Sequence, residues 1–193
     1  MHFLYINLDR RTDRRKEFED ECAKMQLEVE RFPGVPHRIS PLGCGLAHMG
    51  ALKLARERGY ESVCIFEDDF EFLVNRPEFD TILANLPEDY DVVMLGWYVY
   101  HSLPYNDMFS QVVQATTASG YIVHSRFYDK LIQNLEEGAV LLEKNPRDRD
   151  IYINDQYWLR LQQAHNWYHT KNRVGHQRPS YSDLLRTFVR YTY

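Results

Sequence analysis

An apolar segment that ends in three carboxylates is the first candidate for chemistry. Residues Val63 to Phe66 are continuously apolar, and Glu67, Asp68 and Asp69 follow them directly. Such a run is typical of a strand buried on both faces of a mostly parallel sheet, where ligands bind beyond the carboxyl ends of the strands. Neighbouring carboxylates repel one another unless a cation compensates them, which favours a divalent ion with oxygen ligands, Mg²⁺ or Mn²⁺. A solvated acidic turn is the alternative, and this segment alone does not decide between the two.

Four arginines follow the first predicted strand and are candidates for binding phosphate. They are Arg10, Arg11, Arg14 and Arg15. A guanidinium group donates two parallel hydrogen bonds to a phosphate, and the loop after a strand of an α/β sheet faces the ligand pocket. Not all four can point into this pocket, and we expect Arg10 and Arg14 to do so. Arg11 and Arg15 are expected to be solvated on a helix.

Predicted strands and helices alternate along the chain and must position these side chains. Strands are predicted at 3–8, 27–32, 63–66, 91–96, 112–115, 120–124 and 167–170. Apolar residues at helical spacing predict helices around 18–25, 43–58, 77–85, 126–135 and 153–163. The alternation indicates an α/β fold, a single domain over residues 1–193 with a mostly parallel central sheet flanked by helices.

The composition indicates a globular protein. Hydrophobic residues at 44%, charged residues at 26% and the lack of a long apolar segment exclude a disordered chain and a membrane span. The apolar run at the start is too short for a signal peptide, and three scattered cysteines suit buried thiols in a reducing compartment, so we expect a cytoplasmic protein. The net charge of -5 argues against wide contact with a nucleic-acid backbone.

The closing segment, residues 171–193, is basic and aromatic. It contains five Lys or Arg and one Asp. A solvated basic tail and an anion-binding segment are both compatible with this pattern.

Two further patterns suggest a zinc site and a dinucleotide-binding site, and the sequence argues against both. Cys44 and His48 could share a helix face and ligate zinc, but no second pair has the spacing of a structural zinc site, so we expect none. Gly43, Gly45 and Gly50 superficially resemble a dinucleotide-binding fingerprint. The third glycine has the wrong spacing and the segment follows a Pro-rich loop, which argues against a nicotinamide dehydrogenase.

Five pieces of the sequence, in this order, resemble the glycosyltransferases of family 25, which include lipopolysaccharide-type and collagen-type sugar transferases. They are YINLDRRTDRR at 5–15, GCGLAH at 43–48, IFEDD at 65–69, Asp155, and QRPSYSD at 177–183. Ala47 departs from the family, which usually has Ser there. The resemblance implies a GT-A-like (Rossmann-like) architecture, a nucleoside-diphosphate sugar donor such as a UDP-sugar, a hydroxyl acceptor, Mn²⁺ or Mg²⁺, and transfer with inversion.

The resemblance and the acidic cluster together assign roles to the donor site. A divalent ion stabilises the charge that develops on a diphosphate leaving group, and Asp69, helped by Asp68, is its predicted ligand. Glu67 is expected to contact the ribose, or the ion indirectly. The structural alternative is that Glu67 accepts hydrogen bonds from loop amides. The resemblance adds His176 as a further metal ligand. It also implies three donor contacts, namely His48, Gln177 and Asp183. For the nucleotide of such a donor, the expected contacts are Arg10 and Arg14, with Asn7 and Leu8 near its base.

Inversion requires a general base on the acceptor side of the sugar, because the attacking hydroxyl loses a proton. A carboxylate bound to the metal is a poor base, so Asp155 is the first candidate and Asp150 the second. Asn154 or Asp155 capping a helix is the structural alternative.

Two other functions remain open from the sequence. A metal-dependent phosphohydrolase or nuclease also uses an acidic cluster, although such sites generally recruit more carboxylates. Gly96 and Trp97, rather than an acid, follow the strand from Val92 to Leu95, which favours a sugar site. A non-catalytic nucleotide-sugar-binding module is the third possibility. The acceptor class, whether glycan, protein, small molecule or modified nucleic acid, is not encoded in a recognisable pattern.

Overall fold

A six-stranded sheet forms the centre of the protein. The structure, a computed structural model, describes residues 1–183 and 187–190. Its strands are β1 His2–Asn7, β2 Glu30–Pro33, β3 Ser62–Glu67, β4 Phe70–Phe72, β5 Val92–Pro104, β6 Phe109–His124, β7 Trp167–Thr170, β8 Gly175–Gln177, β9 Ser180–Ser182 and β10 Thr187–Val189. The central order is β2-β1-β3-β6-β5-β7, while β4 pairs with β8 and β9 pairs with β10.

Five of the six central strands run in one direction. β1 is parallel to β2 and β3, and β5 is parallel to β7. Only β6 among the central strands that the structure describes runs antiparallel to its neighbours, which are β3, β5 and β7. The predicted α/β fold with a mostly parallel central sheet is therefore confirmed.

Helices cover both faces of the sheet. They are α1 Thr12–Lys24, α2 Ser40–Glu57, α3 Arg76–Ala84, α4 Tyr128–Lys144, α5 Arg149–Tyr152, α6 Asn154–Tyr157 and α7 Leu159–Gln162. Val63 and Ile65 of β3 pack on one face with residues of α2 and α4. Cys64 and Phe66 pack on the other face with residues of α1 and α3. Because alternate residues of β3 enter opposite cores, the strand is apolar throughout.

Two predicted elements differ from the structure. The strands predicted at 91–96, 112–115 and 120–124 belong to one long hairpin, β5 and β6, whose outer part is exposed and therefore lacks an apolar pattern. The helix predicted at 153–163 is divided into α6 and α7 at Trp158. Trp158 and Gln162 donate side-chain hydrogen bonds to the carbonyl of Ala115 on β6, at 3.3 and 2.8 Å, which fixes these short helices to the sheet.

A slot formed by three glycines holds Phe70, the residue directly after the acidic cluster. A Cβ atom at Gly120 or Gly175 would lie 2.5 or 2.3 Å from the Phe70 ring, and one at Gly96 would lie 3.2 Å from it. No side chain fits in those spaces without displacing the ring. The fully buried ring therefore anchors the chain immediately after Asp68 and Asp69.

Within residues 1–183 and 187–190, no helix is both long and apolar enough to cross a membrane. The closing segment contributes β8, β9 and β10 to this part of the chain. Arg186, Tyr191 and Tyr193 lie outside the described residues.

Candidate functional site

A cleft of about 480 Å³ lies at the carboxyl ends of β1 and β3. The register of these parallel strands pairs Ile6 with Glu67, so the residues that follow both strands meet at one edge of the sheet. Most of the predicted donor and metal residues line this cleft, namely Leu8, Arg10, Arg14, Glu67, Asp68, Asp69, Gln177 and Asp183. The remaining wall comes largely from residues 34–38 and the start of α2.

Asp68 is held between the end of β1 and helix α1. Asn7 donates a hydrogen bond to its Oδ2 at 2.7 Å, and Arg14 donates to its Oδ1 at 2.9 Å. The Oδ1 of Asn7 in turn accepts a hydrogen bond from Arg31 at 3.0 Å. The predicted base contact of Asn7 stays a prediction, and in this conformation its side-chain amide orients Asp68.

Asp69 is the least compensated carboxylate of the cluster. Its Oδ2 lies 3.1 Å from Arg14, and its buried Oδ1 has no hydrogen-bond partner among the described residues. Burial, reinforced by the neighbouring charge of Glu67, raises the pKa of Asp69 to about 7. An oxygen-rich group with a buried, unpaired oxygen and excess negative charge fits a hard divalent cation.

Glu67 belongs to a second group of contacts on the opposite side of the cluster. Its Oε1 lies 3.2 Å from the Nε2 of His48 and 3.5 Å from the thiol of Cys44. Its Oε2 accepts a hydrogen bond from Gln177 at 3.3 Å. Burial acts to raise the pKa of Glu67, but hydrogen bonds from His48 and Cys44 outweigh it and lower that pKa. His48 is itself held at Nδ1 by the Tyr121 hydroxyl, 2.9 Å away.

Arg10, Arg11 and Arg14 form one wall of the cleft, called here the arginine wall, and they contact the closing segment. Arg10 and Arg11 contact the carboxylate of Asp183 at 2.8 and 2.6 Å, and Arg14 donates to the hydroxyl of Ser180 at 2.6 Å. The Arg11 side chain is only 13% exposed, so its predicted solvated position is wrong. The solvated position of Arg15 is confirmed, since its side chain is 49% exposed.

Asp155 occupies the first turn of α6 and binds the bend of β6. Its Oδ2 accepts a hydrogen bond from the backbone N–H of Thr117 at 3.0 Å, and Thr117 has a positive φ of 86°. A β-branched residue rarely adopts such a backbone, which marks this bend as strained. The Oδ1 of Asp155 is buried and has no hydrogen-bond partner in the described part of the chain. Burial also raises the pKa of Asp155, and the charge of Glu67 contributes in the same direction.

Five predicted residues do not line the cleft, namely Asn7, His48, Asp150, Asp155 and His176. Asp150 is on α5, and its side chain is 91% exposed beside Arg149. His176 pairs with Glu71 at 3.1 Å. Successive residues of a strand point to opposite faces, so β8 directs Gln177 toward Glu67 and His176 toward Glu71.

Among the described residues of the closing segment, the basic side chains do not line the cleft. Arg173 stacks on the Trp97 ring at 4.4 Å, and Arg178 pairs with Glu17 at 3.1 Å. The segment contributes Gln177, Ser182 and Asp183 to the cleft instead.

Sequence reasoning missed several residues that orient the site. Arg11, Arg31, Thr117 and Tyr121 support the predicted residues through the contacts described above. Tyr121 lies 73 positions from His48, and no local pattern signals that contact. The proximity of Cys44 and His48 can be predicted from their spacing, since residues four apart share a helix face.

Comparisons with known proteins show that the fold of this chain is similar to that of solved structures. The sequence matches no protein-family profile and no curated protein. The solved structure of A197 from STIV is similar, with a TM-score of 0.53 and 16% identity over 91% of this chain and 83% of that chain. That likeness shows the fold alone.

Two other solved structures are similar at a lower level, and no argument rests on them. One is a glycosyltransferase involved in the glycosylation of the major capsid of PBCV-1, with a TM-score of 0.49 and 10% identity over 78% of this chain and 73% of that chain. The other is a mannose-1-phosphate geranyltransferase from Thermus thermophilus, with a TM-score of 0.49 and 10% identity over 91% of this chain and 58% of that chain.

The metal-free protein is expected to lose stability as the pH rises from about 4 to about 7. The carboxyl of Asp69 has a pKa of about 7 in the fold against an ordinary value of 3.8, so between these values the folded chain holds a proton that the unfolded chain has lost. Stability therefore falls with pH, by at most about 1.4 kcal/mol per pH unit.

Urea unfolding in the presence of a chelator, at about pH 5 and about pH 8, measures this effect. Asp69→Asn is the comparison, because it removes only the titrating group. The decrease should be larger in the wild type than in Asp69→Asn. Equal decreases in the two proteins would contradict the assignment.

Proposed function

We propose that this chain is a metal-dependent, inverting glycosyltransferase similar to family 25, which transfers a hexose from a UDP-sugar to a hydroxyl acceptor. One observation carries the proposal. A single cleft combines an incompletely compensated carboxylate pair, Asp68 and Asp69, with arginines on the adjoining wall. This arrangement suits a ligand that is anionic and binds together with a divalent cation, as a nucleoside diphosphate does.

The metal ion would be held by the carboxylates at the tip of β3. The unpaired Oδ1 of Asp69 is the principal ligand atom, and Asp68 is the second group. Mn²⁺ and Mg²⁺ both suit these oxygen donors. When bound, the ion supplies positive charge against the diphosphate leaving group. His176 lies beside Glu71, and its predicted contribution to the ion stays a prediction.

The arginine wall binds the phosphates of the donor in this proposal. Arg10, Arg11 and Arg14 now contact Asp183, Ser180 and the carbonyl of Tyr181, which are the partners that a diphosphate replaces. Exchange of the Asp183 carboxylate for a phosphate keeps Arg10 and Arg11 compensated, while Arg14 remains compensated by Asp68 and Asp69. Leu8 and the loop at 34–38 offer the apolar part of the cleft to the nucleoside base.

Asp155 is the proposed general base. The acceptor hydroxyl would attack the anomeric carbon as the bond to the diphosphate breaks, and its proton would pass to the unpaired Oδ1 of Asp155. This atom is buried and Asp155 does not line the cleft, so the step requires a local opening that exposes Oδ1 to the acceptor. The other oxygen stays bound to the Thr117 amide, which fixes the carboxylate. Burial raises the pKa of Asp155, and a higher pKa makes a carboxylate a stronger base.

Nucleotide binding tests this proposal before any acceptor is known. UDP with Mn²⁺ is expected to bind the wild type, and Arg14→Gln is expected to weaken that binding at least about tenfold, since a charge-assisted contact contributes about 1.5 kcal/mol or more. Isothermal titration calorimetry with UDP, GDP, CDP and TDP measures the binding affinity and identifies the preferred nucleoside base.

Arg15→Gln is the matched control, because Arg15 is the next residue on α1 and pairs with Glu19 at the surface. It should bind as the wild type does. No binding of any nucleoside diphosphate, or equal weakening by both variants, would argue against the proposed donor cleft.

A further inference from the structure

Three side chains of different chemistry converge at the back of the cleft. The Cys44 thiol, the His48 Nε2 and a Glu67 carboxylate oxygen all lie within 4.8 Å of one another. Cys44 and His48 come from successive turns of α2, and Glu67 comes from the end of β3. The sequence predicts no zinc site because no second pair has the spacing of a structural zinc site, but the fold supplies a third ligand from another element.

The distances between these atoms match the spacing of ligands around one ion. Zinc bonds of about 2.0 to 2.3 Å at tetrahedral angles separate neighbouring ligand atoms by about 3.3 to 3.6 Å. Here Glu67 Oε1 lies 3.2 Å from His48 Nε2 and 3.5 Å from the Cys44 sulfur. Protons occupy these short contacts when no ion is bound, and an ion would replace them without a large rearrangement.

Each of the three groups is also held by a second side chain. Tyr121 contacts the Nδ1 of His48 at 2.9 Å, which directs Nε2 toward Glu67. Gln177 binds the other oxygen of Glu67 at 3.3 Å. Asn154 points its amide at the Cys44 sulfur from 3.9 Å. Such outer contacts orient ligands in protein metal sites and raise their affinity.

We propose that Cys44, His48 and Glu67 form a binding site for a thiophilic divalent ion of the Zn²⁺ class, distinct from the Asp68–Asp69 pair. A thiolate and an imidazole select Zn²⁺ over Mg²⁺ or Mn²⁺, which prefer oxygen ligands. One thiolate and one carboxylate together neutralise the two charges of the ion, so the set suits a largely buried position. Cys44 and Glu67 line the cleft, which leaves a fourth position for water.

Cobalt binding tests this site with the metal alone. Co²⁺ is expected to give the wild type a thiolate-to-cobalt charge-transfer absorption, which Zn²⁺ abolishes by competition. Cys44→Ser should lose this absorption and should weaken Zn²⁺ binding more than about tenfold. Cys22→Ser is the matched control, since Cys22 is a buried thiol in the other core, and it should keep both properties.

Two further variants separate ligation from folding and from the other metal site. Glu67→Gln keeps an acceptor for His48 but lacks the anionic ligand, so it should weaken Zn²⁺ binding while its unfolding temperature without metal stays near that of the wild type. Asp69→Asn should leave the cobalt absorption unchanged, whether or not the chain proves to be a transferase. Absence of the absorption in the wild type, its persistence in Cys44→Ser, or its loss in Asp69→Asn would overturn the proposal.

Discussion

Asp69→Asn is expected to reduce metal-dependent release of nucleoside diphosphate at least about 1,000-fold, because the ion supplies several kcal/mol of stabilisation to the leaving group. The same change is expected to stabilise the metal-free protein by about 1 to 3 kcal/mol at alkaline pH. The buried carboxylate of Asp69 is ionised there against the charges of Glu67 and Asp68, and the amide is not. Loss of activity with gain of stability is typical of a group retained for function.

Initial rates with saturating Mn²⁺ and urea unfolding in chelator measure the two effects. Asp20→Asn is the control, because Asp20 is an exposed acid on α1 and its loss should change neither property. If Asp69→Asn kept wild-type activity, Asp69 would not be the ligand of an essential ion. If Asp69→Asn unfolded at a much lower urea concentration than the wild type, the Asp69 carboxylate would stabilise the fold.

Asp155→Asn is expected to lower kcat about 100- to 10,000-fold while binding of UDP and Mn²⁺ stays unchanged. An asparagine oxygen still accepts the hydrogen bond from Thr117, so the strained bend of β6 keeps its partner. What is lost is the ability to take a proton at Oδ1. The stability of the variant should therefore remain close to that of the wild type.

Asp150→Asn is the matched control for Asp155→Asn. Asp150 is the other candidate base from the sequence, and its exposed side chain lies on the neighbouring α5. Steady-state kinetics and calorimetry with UDP and Mn²⁺ compare the two variants. A large loss of kcat in Asp150→Asn, or full activity in Asp155→Asn, would show that Asp155 is not the base.

The central strands could be predicted because burial on both faces leaves a plain signal. Residues 63–66 are all apolar because the side chain of each packs in one of the two cores. The outer part of the β5–β6 hairpin gave no such signal, because Tyr98 and Tyr100 are exposed and the two arms are paired mainly with each other. The break at Trp158 depends on hydrogen bonds to Ala115, 43 and 47 positions away, which no local pattern contains.

The core of the candidate site could be predicted from one geometric rule. Parallel neighbours end at the same edge of a sheet, so residues after β1 and β3 had to meet, and Arg14 does contact Asp68 and Asp69. That rule does not predict the orientation of individual side chains. The sequence predicts a solvated Arg11 because its partner, Asp183, comes from the distant closing segment.

Everything proposed for this cleft depends on its activating a nucleoside-diphosphate sugar with the help of a metal ion. The decisive experiment is release of nucleoside diphosphate by the wild-type chain from UDP-, GDP- and TDP-sugars, and of CMP from CMP-sugars, with Mn²⁺ and with a chelator. We expect slow, chelator-sensitive release of UDP from one UDP-sugar, even with water as the acceptor. Absence of release from every donor, together with metal-dependent hydrolysis of simple phosphate esters, would refute the transferase and identify a phosphohydrolase.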